Sequence, residues 1–290
     1  MNGTPKKIVL KVEEGMDPRE IYCTTYQMRN VWQQIATAMI TPLDVMSLSM
    51  HHAAAVMCRS KDKVLDVCCG RAMILPLIRR VRPNVLSYTG IDIHPQNYAE
   101  AYKYSAMSKI ADYRFANNSP GQGEPWYPFA INFVEGDAAD MYEQLTLAKL
   151  APFDFIVYMA SIEHMQKEAG IKSLVECYRV LRQGGRMLIT SPNTTDKEDE
   201  YDTQYAAHLY EWSSEELKTE CLNIGFQIQG EFGLLAKVTG YQDAMEEEYP
   251  ELVPIYQQFA QWLPSAWLHA MFPIITPRIA DETALLLTKK

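Results

Sequence analysis

The sequence predicts an α/β fold: a doubly wound, mostly parallel sheet of seven strands, with a helical segment before it and a helical cap inserted before its last strand. Two observations lead to this prediction. Short apolar runs alternate with stretches of helical spacing from Lys63 to Gly230, an order typical of parallel strands joined by right-handed helical crossovers. The runs at 155–157 and 187–189 are apolar without alternation, as expected for strands that are buried on both faces.

Local signals along the chain place each element. The strands are predicted at 64–67, 86–93, 130–135, 153–159, 186–190, 226–230 and 284–288. Helices are predicted between them, near 74–81, 95–110, 139–150, 166–182 and 213–222. Pro83 ends the first of these helices, a serine at 213 or 214 caps the last, and Gly184-Gly185 makes the turn into the fifth strand.

The chain divides into regions of different amino-acid composition. Residues 1–60 are predicted to form a mainly helical lid, and residues 61–290 the core domain. Within the core, residues 235–280 are rich in Tyr, Trp, Met and Pro, which predicts a cap over the substrate. Residues 117–128 are rich in Asn, Pro and Gly and residues 196–202 are mostly acidic, so both are predicted to be loops.

Composition excludes several classes of protein. The chain has 290 residues, is 48% hydrophobic and carries a net charge of −9, so it can bury a large core but is a poor partner for nucleic acid or anionic membrane. We see no signal peptide and no apolar run of about 20 residues, and we expect a cytoplasmic protein. The six cysteines form no C-x-x-C pair, which predicts free thiols and no metal site. The oligomeric state stays open, a homodimer included.

Three acidic residues stand at the ends of successive predicted strands: Asp66, Asp92 and Asp137. Ligands of open α/β sheets bind beyond the carboxyl ends of the strands, so the three carboxylates would surround one ligand with hydroxyl and amino groups. The alternative for each is a helix cap or a turn former.

The turn after the first strand indicates which ligand. It reads Asp66-Val-Cys-Cys-Gly70-Arg-Ala72 and contains one glycine, whereas a dinucleotide site uses three so that the backbone can approach the pyrophosphate. A leading carboxylate would repel a pyrophosphate but would suit the ammonium group of a methionine moiety. A nicotinamide-dependent dehydrogenase is therefore disfavoured.

These residues resemble a known family. Val64–Ala72 resembles the glycine-rich first motif of class I S-adenosylmethionine-dependent methyltransferases, with Cys68 and Ala72 in place of two glycines. Gly90-Ile-Asp-Ile93, Glu135-Gly-Asp-Ala138 and the segments 153–159 and 181–186 resemble the motifs that follow, so the resemblance covers about 63–230. It implies a Rossmann-like fold and S-adenosylmethionine as the cofactor, with S-adenosylhomocysteine as its product.

The resemblance also implies roles for single residues. Asp92 would bind both ribose hydroxyls and Ile93 would pack on the adenine. Asp137 would accept from the adenine amino group, and Ala138 would offer its backbone N–H to the ring. The other cofactor contacts that we expect are Asp66, Cys68 and Gly70 in the first turn, Met159 at the end of the fourth strand, and Tyr26 in the lid.

Acceptor chemistry is expected after the fourth strand, in Ser161-Ile-Glu-His164. His164 would act as a general base or position the substrate, with Glu163 beside it. His208 lies just before a predicted helix and would reach the same place, or would simply be a loop histidine bonded to backbone.

Three functions remain open at this point. The first is methyl transfer to an O or N atom of a small organic molecule. The net negative charge of the chain and the predicted cap over the substrate favour this function. The second is a metal-dependent RNA 2′-O-methyltransferase, because Glu163-His164 and His208 are similar to the metal ligands of such enzymes, although Ala160 stands where their first glutamate would be. The third is a scaffold whose cofactor site has degenerated at Cys68 and Ala72.

Overall fold

A computed structural model describes residues 42–82, 84–94, 130–194, 207–236 and 240–290. Its strands are β1 Lys63–Val67, β2 Ser87–Asp92, β3 Ala130–Glu135, β4 Phe153–Tyr158, β5 Leu181–Pro192, β6 Phe226–Ala236 and β7 Ala280–Lys289. Its α-helices are α1 Pro42–Met57, α2 Leu75–Val81, α3 Met141–Leu147, α4 Lys167–Val180, α5 Ser214–Ile224, α6 Tyr241–Glu248, α7 Val253–Ala260 and α8 Ser265–Met271. The predictions for Tyr26, for a helix at 95–110 and for loops at 117–128 and 196–202 lie outside the described residues.

The seven strands form one sheet in the order β3-β2-β1-β4-β5-β7-β6. Strands β1 to β5 run parallel, and β7 runs antiparallel to both of its neighbours. The strand order reverses between β1 and β4, and ligands of such sheets bind in the crevice at that reversal. The predicted fold class is confirmed, and the carboxyl ends of β1 and β4 mark the place for a site.

Both faces of the sheet are covered, because side chains of successive strand residues point to opposite faces. On one face Ile156 and Tyr158 join a buried cluster with residues of α3, α4 and α5. On the other face Phe155 and Val157 join a cluster with residues of α1 and α2. This double burial explains the continuous apolar runs that predicted β4 and β5.

Helix α1 lies within the segment 1–60, which was predicted to be mainly helical. It buries Met46, Met50 and Ala54 against the sheet, and the Thr190 hydroxyl of β5 donates to Met50 Sδ at 3.3 Å. Helix α1 thus covers the sheet next to the carboxyl end of β5. The division of the chain at residue 60 stays a prediction.

The last three strands are longer than predicted. Strand β7 begins at Ala280, where Ala236 of β6 pairs with it, and it pairs with β5 as far as Pro192. Charged residues such as Glu231 in β6 and Glu282 in β7 interrupt the apolar pattern, so the pattern predicted strands that are too short. Antiparallel pairing to β7 extends both neighbours.

The segment between β6 and β7 is helical, as predicted for the cap. Tyr241, Met245, Leu268 and Phe272 form a small core of its own, and α8 packs against α1 and β6. None of the helices in the described parts of the chain is long and apolar enough to cross a membrane.

Candidate functional site

The turn after β1 keeps a shape that normally needs glycine. Cys68, Gly70 and Ala72 all have positive φ, at 53°, 48° and 53°. L-residues with a Cβ adopt this left-handed conformation only at a cost of about 1 kcal/mol or more. These are the three glycine positions of the motif that the sequence resembles, so the backbone of the turn is preserved despite the two replacements.

This geometry predicts how Cys68 tolerates substitution. Cys68→Gly should fold and should bind cofactor as the wild type does, because glycine adopts positive φ without strain. Cys68→Val should be less stable than Cys68→Gly by about 2 kcal/mol, since a β-branched side chain is the worst fit to this conformation. Urea unfolding of the two variants measures the difference. Equal stabilities would contradict the left-handed geometry of this turn.

Asp66 is buried at the start of the turn. Its Oδ2 accepts a hydrogen bond from the Tyr88 hydroxyl at 2.5 Å. Burial raises the pKa of Asp66 to about 7, the Tyr88 hydrogen bond opposes that rise, and the charge of Asp92 adds to it. A cationic group placed beside Asp66 would stabilise its ionised form, which suits the predicted contact with a methionine ammonium group.

Asp92 links the ends of β1 and β2. Its Oδ2 accepts from Gly70 N and its Oδ1 from His94 N, both at 2.9 Å. These contacts hold the carboxylate at the carboxyl end of β2 beside the first turn, where the resemblance places the ribose diol. Ile93 beside Asp92 is 56% exposed, and a flat ring would cover that apolar side chain. The ribose and adenine contacts stay predictions.

Asp137 follows β3 and begins a short 3₁₀-helix, Ala138–Asp140. Its Oδ1 accepts from Ala139 N at 2.8 Å, which is the capping role that the sequence left open as an alternative. Asp137 is exposed, while Ala138 is buried. The cap leaves the second oxygen of Asp137 for the predicted contact with an adenine amino group.

The segment after β4 carries two of the predicted acceptor-side residues. Met159 and Ser161 connect β4 to a 3₁₀-helix at Ile162–His164, and the Ser161 hydroxyl donates to Met159 O at 2.7 Å. Glu163 is 2% exposed and its Oε2 is buried with no hydrogen-bond partner among the described residues. Nδ1 of His164 bonds to Ala207 O at 2.9 Å.

His208 is held by a carboxylate that sequence reasoning did not single out. Its Nδ1 lies 2.5 Å from Oε1 of Glu211, which is fully buried. The second oxygen of Glu211 accepts from the Thr194 hydroxyl at 2.8 Å. The only sequence signal for Glu211 is its spacing of three residues from His208. Carboxylates in this position orient a histidine.

The fold brings Glu163, His164 and His208 together. One potential ligand atom from each lies within 4.8 Å of the others, and the two rings meet edge to face with centroids 5.0 Å apart. Burial raises the pKa of Glu163 to about 7, the charge of His164 lowers it, and that of Glu211 raises it. Chemically, the three groups could hold a cation or exchange a proton with an acceptor.

Glu282 is a second buried carboxyl that the sequence analysis missed. It lies in β7, is 9% exposed, and its Oε1 is buried with no hydrogen-bond partner in the described part of the chain. Burial raises the pKa of Glu282 to about 8, and the charges of Glu163 and Asp281 raise it further. Its position in an otherwise β-like run gave no signal, because burial depends on the neighbouring strands.

The raised pKa of Glu282 predicts that the stability of the folded protein depends on pH. The unfolded chain ionises Glu282 near pH 4.5, whereas the folded protein holds the proton until about pH 8, so stability falls as the pH rises through this window. Glu282→Gln removes the ionisable group and should be more stable than wild type at pH 8 by a few kcal/mol, since one pKa unit corresponds to about 1.4 kcal/mol. The difference should vanish near pH 4. Thermal unfolding at both pH values tests it, and a constant difference would contradict the assignment.

The aromatic residues of the cap pack mostly among themselves. Tyr256 meets the rings of Tyr241 and Phe272 edge to face, with centroids 6.1 and 4.9 Å away. Trp262 and Trp267 are 81% and 49% exposed. The tyrosines therefore stabilise the cap itself.

The comparison with protein families decides the identity. A family model described as a methyltransferase domain matches residues 41–230, more than half of the chain. The chain belongs to the class I S-adenosylmethionine-dependent methyltransferases. No curated protein matches it in sequence.

Solved structures of the same fold differ in chemistry. The [4+2]-cyclase SpnF is 18% identical with a TM-score of 0.51, over 85% of this chain and 80% of that chain. A protein described as a sarcosine dimethylglycine methyltransferase from Galdieria sulphuraria is 16% identical with a TM-score of 0.50, over 86% and 84%. The small RNA methyltransferase HEN1 is 11% identical with a TM-score of 0.52, over 84% of this chain and 26% of that chain. These identities show the fold alone, so the acceptor has to be argued from the site.

The first turn of this methyltransferase fits its cofactor. A Cβ added at Gly70 would meet no atom within 4 Å, so there is open space at the turn where a ligand can approach the backbone. Asp66 and Asp92 border this turn at the carboxyl ends of β1 and β2. Bound there, S-adenosylmethionine supplies an activated methyl group, and the chain's own residues bind it and orient the acceptor.

Proposed function

We propose that this methyltransferase acts on an oxygen or nitrogen atom of a small organic molecule. The observation that carries the proposal is the acidic character of the acceptor side, where Glu163, Glu211 and Glu282 are all buried. Nucleic acid would bring a dense row of phosphates, which need basic groups that these carboxyls do not supply. A small neutral or cationic molecule has no such requirement.

The histidines would serve the acceptor. His164 and His208, each oriented through Nδ1, can take a proton from the acceptor atom or hold that atom in line with the methyl group. When the nucleophile is already deprotonated, orientation alone is enough for transfer. His164 is exposed and His208 is partly buried, so an acceptor can approach His164 from solvent.

An acceptor screen tests the proposal. Purified enzyme with S-adenosylmethionine is incubated with a panel of small alcohols, phenols, carboxylates and amines, and formation of S-adenosylhomocysteine is measured. RNA and protein acceptors run in parallel. Turnover with a small molecule is the expected result, and robust methylation of RNA or protein with none of the small acceptors would overturn the proposal.

A metal-dependent RNA 2′-O-methyltransferase is the second candidate, favoured by the convergence of Glu163, His164 and His208. The position of the first glutamate of such enzymes is Ala160, whose N–H donates to the Thr190 hydroxyl at 2.9 Å, so that ligand is missing. Treatment with EDTA separates the two candidates. We expect small-molecule turnover to survive it, whereas RNA methylation lost with EDTA and restored by a divalent metal would favour the second.

A further inference from the structure

Glu282 lies at the carboxyl edge of the sheet. It pairs with Pro192, the last residue of β5, in the antiparallel ladder between β5 and β7. Two residues further along β7, Ala284 pairs with Thr190, whose side chain contacts Met50 of α1. Because side chains alternate along a strand, Glu282 points to this same face, beside the end of β5 and on the side that α1 covers.

Glu282 and Glu163 share an unusual condition. Each has a carboxyl oxygen that is buried without a hydrogen-bond partner in the described part of the chain, and the two residues come from different strand ends. The charge of Glu163 contributes to the raised pKa of Glu282, so the two carboxyls lie within electrostatic reach of each other. A buried polar atom without a partner costs free energy, and two near one another at a ligand-binding edge indicate a complementary ligand.

The chemistry of the two oxygens defines that ligand. They accept hydrogen bonds and favour positive charge, so the complementary group is a cation with N–H donors. A protonated amine brings one positive charge and up to three N–H donors. An alcohol brings one donor and no charge, and a phosphate or carboxylate would be repelled.

We propose that Glu282, together with Glu163, binds the protonated amino group of the methyl acceptor, so that the enzyme methylates nitrogen. This inference rests on the proposed function and narrows it to amines. The ammonium group gives one proton to the ionised carboxyl of Glu282 and becomes a neutral amine. Its lone pair forms the new N–C bond while the S–C bond breaks, and that electron pair stays on sulfur. The product leaves as an N-methylammonium ion.

Matched pairs of amines and alcohols test the proposal. The probes are 2-phenylethylamine with 2-phenylethanol, tryptamine with tryptophol, and glycine with glycolate. Binding to the S-adenosylhomocysteine complex is measured by calorimetry and turnover by mass spectrometry, at mildly alkaline pH with EDTA present. We expect the wild type to prefer the amine of at least one pair by tenfold or more, which corresponds to about 1.4 kcal/mol.

Glu282→Gln should remove that preference. The KM for the preferred amine should rise at least about tenfold, because the charge-assisted hydrogen bonds are lost, while the affinity for S-adenosylmethionine stays at the wild-type value. Glu231→Gln is the matched control, since Glu231 of β6 accepts hydrogen bonds from Ser214 and Lys218 of α5, and this variant should keep the amine preference.

Several results would overturn the inference. One is equal use of alcohols and amines by the wild type, and another is that no amine binds. A third is an unchanged amine preference in Glu282→Gln. A loss of S-adenosylmethionine affinity in that variant would also overturn the inference, because it would assign Glu282 to the cofactor. Activity that EDTA abolishes would assign the carboxyls to a metal ion instead. Failure of the proposed function looks different: no small acceptor is methylated at all, while RNA or protein is.

Discussion

Asp92→Ala should weaken the binding of S-adenosylhomocysteine by about 100-fold or more. If Asp92 holds the ribose, the variant loses two charge-assisted hydrogen bonds, each worth about 1.5–3 kcal/mol. The substitution also removes the acceptor for the N–H groups of Gly70 and His94, so the turn that faces the cofactor becomes less ordered. Calorimetric titration of wild type and variant measures both the affinity and the enthalpy of binding.

Asp154 offers a matched control for this experiment. It begins β4 at the opposite edge of the sheet, where it accepts from Lys63 N at 2.8 Å and pairs with Arg182. Asp154→Ala should lower the free energy of unfolding and leave the affinity for S-adenosylhomocysteine unchanged. An unchanged affinity in Asp92→Ala would refute the ribose assignment, and an equal loss in both variants would indicate a general effect of destabilisation.

His164→Ala should reduce turnover by about 10- to 100-fold, with little change in cofactor affinity. The residue lies after β4 beside Glu163 and His208, so the variant loses a group that orients or deprotonates the acceptor, and a general base typically contributes about 100-fold or more. Single-turnover assays with the acceptor found in the screen measure the effect, and calorimetry with S-adenosylhomocysteine measures the affinity.

A histidine elsewhere provides the control for the second prediction. His269 belongs to α8 and meets the ring of Tyr241 edge to face in the cap. His269→Ala should change stability more than turnover. Full turnover in His164→Ala would show that this residue only supports the local backbone, and a drop in cofactor affinity as large as the drop in turnover would place it at the cofactor instead.

The sheet was predictable because its signals are local. Apolar runs, helical spacing and turn residues placed β1 to β4 within a residue or two of their observed ends, and the rules for parallel crossovers supplied the topology. Strands β6 and β7 were predicted too short, because Glu231 and Glu282 interrupt the apolar pattern while their backbones pair in the antiparallel ladder. Pairing between distant strands overrides a local polar residue.

The acceptor side was only partly predictable. Glu163 and His164 were expected there because they follow a strand end, which is a rule of the fold. Glu211 and Glu282 were missed, since a carboxylate in a sequence gives no sign of burial when its neighbours are far away along the chain. Surface glutamates and buried ones look alike until the packing is known.

What the sequence by itself determined about this protein is its fold class, its methyltransferase motifs and the aspartates at the strand ends, because these depend on residues that are close together along the chain. Only the tertiary structure decided how the proposed acceptor side is built. Nδ1 of His164 bonds to the backbone of Ala207, 43 residues away along the chain, and the charge of Glu163 raises the pKa of Glu282 in the last strand of the sheet. The physical reason is that burial and electrostatic coupling arise between distant segments, and no local pattern encodes them.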